Sequence, residues 1–146
     1  MPSPREQMNE ALKETVIPFL RQRGFKGSLP HFRRPNPDSI DLLTFQFDRH
    51  GGGFVVEIAK CSPDGYTRHF GTHCSPAKVS AWDLPPDSRY RIQPRGDGSA
   101  DNWFRYDKSP GFLNRDIYTR LANQVVLLID TEAEDWWRNA DPVSSA

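Results

Sequence analysis

The sequence has only two cysteines, Cys61 and Cys74, among 146 residues. So few thiols exclude a disulfide-stapled framework, and the pair is read as reduced. Net charge is also missing, because 19 Lys and Arg balance 19 Asp and Glu. That balance excludes a chain that grips nucleic acid or anionic lipid over its whole surface. No apolar run approaches the roughly 18 residues that span a bilayer. The start, Met1-Pro2-Ser3-Pro4-Arg5-Glu6, lacks the apolar segment of a secretory signal. The expectation is a cytoplasmic chain with no membrane partner. There is no P-loop, no Gly-x-Gly-x-x-Gly, no Gly-x-Ser-x-Gly and no His-Glu-x-x-His. Enzyme classes that announce themselves locally are therefore unsupported. The reading leans away from an enzyme, with no cofactor implied.

Large side chains make up for a modest apolar content. Hydrophobic residues are 36% and mean hydropathy is −0.70, yet aromatics reach 12% with four Trp. Each buried aromatic removes about 150–250 Å² from water, so few residues suffice for a core. The length fits one domain over residues 1–146, ordered from about 4 to 139.

The spacing predicts a helix from Pro4 to Arg23. Ser3, Pro4 and Glu6 form a capping box with proline at the first helical position. Met8, Leu12, Val16, Phe19 and Leu20 share one face, and Gly24-Phe25 closes the helix. Pro18 conflicts with this, since it has no N–H for the Glu14 carbonyl and should kink or shorten the helix. Residues 39–48 and 54–61 read as a β-hairpin around Arg49-His50-Gly51-Gly52-Gly53. Leu43, Phe45 and Phe47 share one face of the first strand, and Ile40 and Leu42 the other. Leu29–Arg34 reads as a short edge strand ended by Pro35 and Pro37. Residues 62–88 are loop-rich, and short strands follow at 89–94 and 103–107. A last helix is expected from Arg115 to Arg138, capped by Asn114, with Ile117, Leu121, Val125, Leu128 and Ile129 as its stripe. This order predicts an α+β fold: an antiparallel sheet of about five strands packed with an N-terminal and a C-terminal helix.

Two constellations invite chemistry. Cys61, His69, His73 and Cys74 carry zinc-type ligands, but their spacing matches no ordinary finger. A buried thiol with loop histidines in hydrogen bonds is the favoured reading, and a Cys–His nucleophile pair ranks below both. Arg89, Arg91 and Arg95, with Arg105 beside Trp103 and Tyr106, form a second set able to meet a carboxylate, a phosphate or an acidic partner. Its plainer reading is a solvated strand face in exposed ion pairs with nearby aspartates. Arg95-Gly96-Asp97 is read as a turn, and Arg33-Arg34 beside Phe32 is open to two readings, a nucleic-acid contact or a basic strand edge that discourages aggregation.

The zero net charge hides a segregation. Residues 1–34 hold seven basic and three acidic side chains, a net of +4. Residues 130–146 hold one basic and five acidic, a net of −4. Acid at a helix C-terminus opposes the dipole. Either the basic segment packs beside it, which is favoured, or the acidic end serves a partner.

The succession Arg23-Gly24-Phe25-Lys26, Phe32-Arg33-Arg34, Phe45-Gln46-Phe47, the glycine turn at 51–53, Phe54-Val55-Val56-Glu57-Ile58, Arg89-Tyr90-Arg91-Ile92 and Asp101-Asn102-Trp103-Phe104 resembles the bacterial domain of unknown function family numbered 4304. The resemblance runs from about residue 8 to 138. The chain departs at Gln93-Pro94, where a glycine often follows the arginine pair, and at Phe104, where a second tryptophan is common. The resemblance implies no established activity, and small proteins similar to it often look like immunity or accessory proteins. The expected function is a non-enzymatic module binding an unknown protein partner. The alternative is a ligand-binding or hydrolytic enzyme with a cleft lined by Arg89, Arg91, Trp103 and Arg105.

Overall fold

A computed structural model describes residues 2–94, 102–107 and 116–145. It contains helices at both ends and an antiparallel sheet between them, an α+β architecture.

The first helical segment runs as α1 (Pro4–Ala11), a π turn (Leu12–Val16) and α2 (Ile17–Gln22). Ser3 caps it by accepting from the Glu6 N–H at 3.1 Å. The helix passes through Pro18 instead of stopping there. In the π turn the Ile17 N–H reaches back five residues to the Leu12 carbonyl. The extra residue takes up the register where Pro18 has no hydrogen to give. At the end, Phe25 N–H donates to the Leu20 carbonyl and Gly24 N–H to Arg21, with Gly24 at φ +91°. Both bonds belong to one left-handed helix cap, a conformation that favours glycine.

The main sheet contains β1 (Lys26–Ser28), β2 (His31–Pro35), β3 (Ile40–Phe47) and β4 (Gly53–Cys61), antiparallel and in that order. The expected edge strand is therefore an inner one. β2 is covered by β1, whose Gly27 (φ +112°) lies where a Cβ would strike the His31 carbonyl. A separate two-stranded hairpin, β5 (Tyr66–Thr67) and β6 (His73–Cys74), follows in the loop-rich region. β7 (Tyr90–Arg91) and β8 (Phe104–Arg105) both pair with the free edge of β4, one beyond the other. Arg95, Gly96 and Asp97 lie outside the described residues.

The last helical segment is α3 (Ile117–Leu128), a second π turn (Ile129–Ala133) and α4 (Glu134–Asn139). Its cap is Asp116, which accepts from the Thr119 N–H, and not Asn114 as expected; Asn114 and Arg115 are outside the described residues.

The strand faces divide the interior in two. Leu43, Phe45, Phe54, Val56 and Ile58 join both helical segments in the larger core, closed by the buried Trp137. Ile40, Leu42, Ala59 and Cys61 face the other way, into a smaller core under Tyr66, Val79 and Leu84. The chain end adds to this smaller core: Val143 bridges Cys61 in parallel and donates its N–H to the Lys60 carbonyl at 2.9 Å.

Candidate functional site

The arginines singled out from the sequence separate along β4. Its register places Glu57 opposite Arg91 and Gly53 opposite Arg105. Four strand positions amount to about 13 Å. Glu57 is buried and carries both Arg91 (Nε–Oε2 3.2 Å) and Arg89 (Nη1–Oε1 3.6 Å). Arg89 also donates to the Leu84 and Trp82 carbonyls, so it clamps the preceding loop to the sheet. Direct register continues this polar row through Thr44 to His31, whose Nδ1 lies 3.0 Å from the Thr44 hydroxyl. At the other end the Arg105 guanidinium lies 5.7 Å from the Trp103 ring centre. Tyr106 is buried against Tyr118. Burial pushes the Tyr106 phenol up.

The cysteine and histidine set is spread over β4 and the β5–β6 hairpin. Cys61 is fully buried, and burial pushes its thiol up to about 12. Cys74 is half-buried against the same small core. His73 is exposed and pairs through Nδ1 with the Thr67 hydroxyl at 2.8 Å. His69 rests against the edge of Phe70. Among the described residues, no three His, Cys, Asp or Glu side chains are grouped to hold a metal ion.

The oppositely charged chain ends meet. Arg34 on β2 bonds Asp41 on β3 and, through both terminal nitrogens, Glu134 on α4. Arg23 at the end of the first helix bonds Glu134 and Asp130. The Arg34 guanidinium also lies over the Phe25 and Trp137 rings, at 4.6 and 5.2 Å. Burial alone would raise the Glu134 carboxyl. The two arginines outweigh that and hold it below its ordinary value.

Other acids of the last helix turn toward a different surface. A cleft of about 1000 Å³ runs between residues 87–90 and the segment 130–143. One wall is the stacked pair Tyr90 and Trp136, with ring centres 5.9 Å apart and planes 17° from parallel. The Tyr90 hydroxyl donates to Glu132 at 2.6 Å, and the Gln93 N–H reaches the same carboxylate. Asp87, Asp135 and Asp141 add three more carboxylates to the lining, and Asp130, the partner of Arg23, stands at its edge as a fourth, against Arg89 and Arg138. Arg89 is spent on Glu57 and the loop carbonyls and Arg138 pairs Asp135 at 3.4 Å, so acids outnumber bases in the lining. The second π turn adds its extra residue at this wall, between Leu128 and Glu134. Sequence reasoning noticed these acids as a charge excess but not the cleft. The adjacent signal was Glu132-Ala133-Glu134-Asp135 running directly into Trp136-Trp137.

Comparison with protein families matches residues 16–139 to the model described as "Domain of unknown function (DUF4304)". No curated protein and no solved structure matches the chain.

Proposed function

The chain belongs to the domain of unknown function family 4304, and we propose that it is a non-enzymatic protein-binding module that holds a basic segment of another protein in the acidic cleft. The observation that carries this reading is the cleft itself: five carboxylates around the stacked Tyr90–Trp136 wall. Such a surface suits a Lys- or Arg-bearing segment. Carboxylates meet the cations and steer the encounter, and the aromatic wall takes the aliphatic stems or stacks a guanidinium. The role that follows is that of an immunity-like or regulatory partner, which acts by covering a basic surface. We place this role in the cytoplasm of a bacterial cell, where the free Cys61 and Cys74 stay reduced.

Photo-crosslinking in the native host tests this reading. Asn139 lines the cleft and is exposed. The full-length chain carrying benzoylphenylalanine at position 139 should capture one partner through a peptide rich in Lys and Arg. The same experiment with D135K and D141K added should lose the adduct. Failure to form any adduct, or an adduct unchanged by the two charge reversals, would overturn the proposal.

A further inference from the structure

The separate hairpin carries the most exposed aromatic side chain of the described residues. Phe70 sits at the tip between β5 and β6 and is 95% exposed. It is not on a slack loop. Arg68 N–H donates to the Thr72 carbonyl at 2.7 Å, and Gly71 N–H to the Arg68 carbonyl at 2.9 Å. Gly71 takes φ +89°, a turn conformation that favours glycine. The turn therefore presents Phe70 outward in a defined direction, at the cost of leaving a large apolar ring in water.

The Phe70 ring stands at the rim of a groove of about 560 Å³ between the hairpin and residues 82–86. Tyr66 and Leu84 are buried lining residues, and Trp82 (40% exposed), Pro85 and Pro86 form the facing wall. Charge of both signs spans it: Arg68 and Asp83 stand 4.0 Å apart, with Arg68 half-exposed. Asp83 is 20% exposed and holds Ser80 through Oδ2, so its Oδ1 contact to the wetter Arg68, at 4.0 Å, stabilises little and can be exchanged without disturbing the Ser80 cap.

A protruding ring next to an apolar groove, with one positive and one negative group across it, is complementary to its own image under a twofold rotation. We propose that this face is a self-association surface, in which two copies related by a twofold axis each place Phe70 in the groove of the other. In that arrangement each Arg68 exchanges its own Asp83 for the Asp83 of the second copy. The contact is small, which makes the dimer weak and concentration-dependent. Arg89 lines both this groove and the acidic cleft, so the dimer would set two such clefts side by side. The inference stands on a different surface from the proposed function and does not depend on it.

Sedimentation velocity on the full-length chain over a range of concentrations tests it. Wild type should pass from monomer to dimer with rising concentration. F70S should remain monomeric with little change in the thermal melt, because Phe70 is 95% exposed and within its own copy meets only the edge-on His69 ring at the groove rim. R68E should weaken the dimer at least tenfold, since it sets two acids against each other. Mixed light and heavy-nitrogen chains carrying benzoylphenylalanine at position 70 should crosslink between copies, onto residues 79–89. A wild type that is monomeric at all concentrations, an F70S chain that still dimerises, or adducts formed only within one copy would each overturn the proposal.

Discussion

Arg34 and Glu134 are separated by 100 positions in the chain and meet through two parallel hydrogen bonds, Nη1 to Oε2 at 3.0 Å and Nη2 to Oε1 at 2.6 Å. A two-pronged pair of this kind fixes angle as well as distance. It ties β2 to α4 beside Trp137, whose indole N–H reaches the Ala59 carbonyl across the sheet at 3.0 Å. Acid near a helix C-terminus is unfavourable in isolation. Arg23 and Arg34 offset it here, so the placement of Asp130 and Glu134 follows from the tertiary contact.

Both members of that pair are largely withdrawn from water, with side chains 17% and 15% exposed. Removing one leaves the other a largely buried charge with part of its pairing gone, Glu134 keeping Arg23 and Arg34 keeping Asp41, so each loss stays within the roughly 3–5 kcal/mol of a fully broken buried pair. R34M should cost the more of the two, because Asp41 loses its only guanidinium and keeps the Asn36 amide, while Glu134 keeps only the more exposed Arg23. E134M should cost less, since Arg34 keeps Asp41. R34M/E134M should recover part of the summed loss, and urea unfolding of the four chains measures that coupling.

His31 and Glu134 both contribute to the acid limb of stability. Burial is the main cause holding the His31 imidazole below its ordinary 6.5, with Arg33 adding to it. A folded value below the unfolded one means that the unfolded chain binds the proton more readily. The His31 contribution is therefore complete above pH 6.5 and is lost as pH falls through the lower folded value. Glu134, held below its ordinary 4.5, follows with a second loss further into acid. Unfolding free energy measured from pH 8 to 3 should decline in these two stages. H31Q should remove the first stage and leave the second.

How much of this was legible depended on range along the chain. Ser3 with Glu6, and Gly24 with Phe25, are local signatures: the Gly24 cap formed as read, while Ser3 caps the helix but Glu6 takes the Ser3 hydroxyl instead of the backbone N–H that a capping box requires. The alternation in 40–47 correctly assigned Leu43 and Phe45 to one core and Ile40 and Leu42 to the other. β1 was missed because Lys-Gly-Ser has no pattern to read; its pairing rests on the close approach that Gly27 permits. The register along β4 was also out of reach. No local feature states that Arg91 lies opposite Glu57 while Arg105 lies opposite Gly53. The acids of the cleft were visible as a count. Which of them Arg23 and Arg34 would take, and which would face outward, is a property of the packed helix alone.

Gly24 and Gly65 separate two reasons for glycine. Both have φ +91°. A Cβ at Gly24 would meet only Arg34 methylenes at ordinary contact distance, 3.6 and 3.7 Å. G24A should therefore cost only the left-handed conformation, roughly 1 kcal/mol. A Cβ at Gly65 would run into the Cys74 carbonyl. G65A must displace the β5–β6 hairpin and should cost clearly more. Thermal melts of the two variants compare the costs directly.

The chain end seals the smaller core, and Cys61 reports on that seal. Its thiol is fully buried and held up to about 12 by burial, then by the nearby Asp41 and Asp83, so at pH 8 it is protonated as well as shielded. Cys74 is only half-buried, and burial raises its thiol as well. Ellman titration of the native chain at pH 8 should show one slow thiol, Cys74, with the second appearing only in denaturant. Val143 lies over Cys61 through the Val143–Lys60 and Ser62–Val143 backbone bonds and packs against the same core. Truncation after Ala140 removes both bonds and that side chain while leaving α4 whole. Reaction at Cys61 should then become measurable without denaturant. In C74S, where Cys61 is the only thiol, its rate should rise on truncation. An unchanged rate would place the barrier in β4 and the Tyr66 side of the core rather than in the tail.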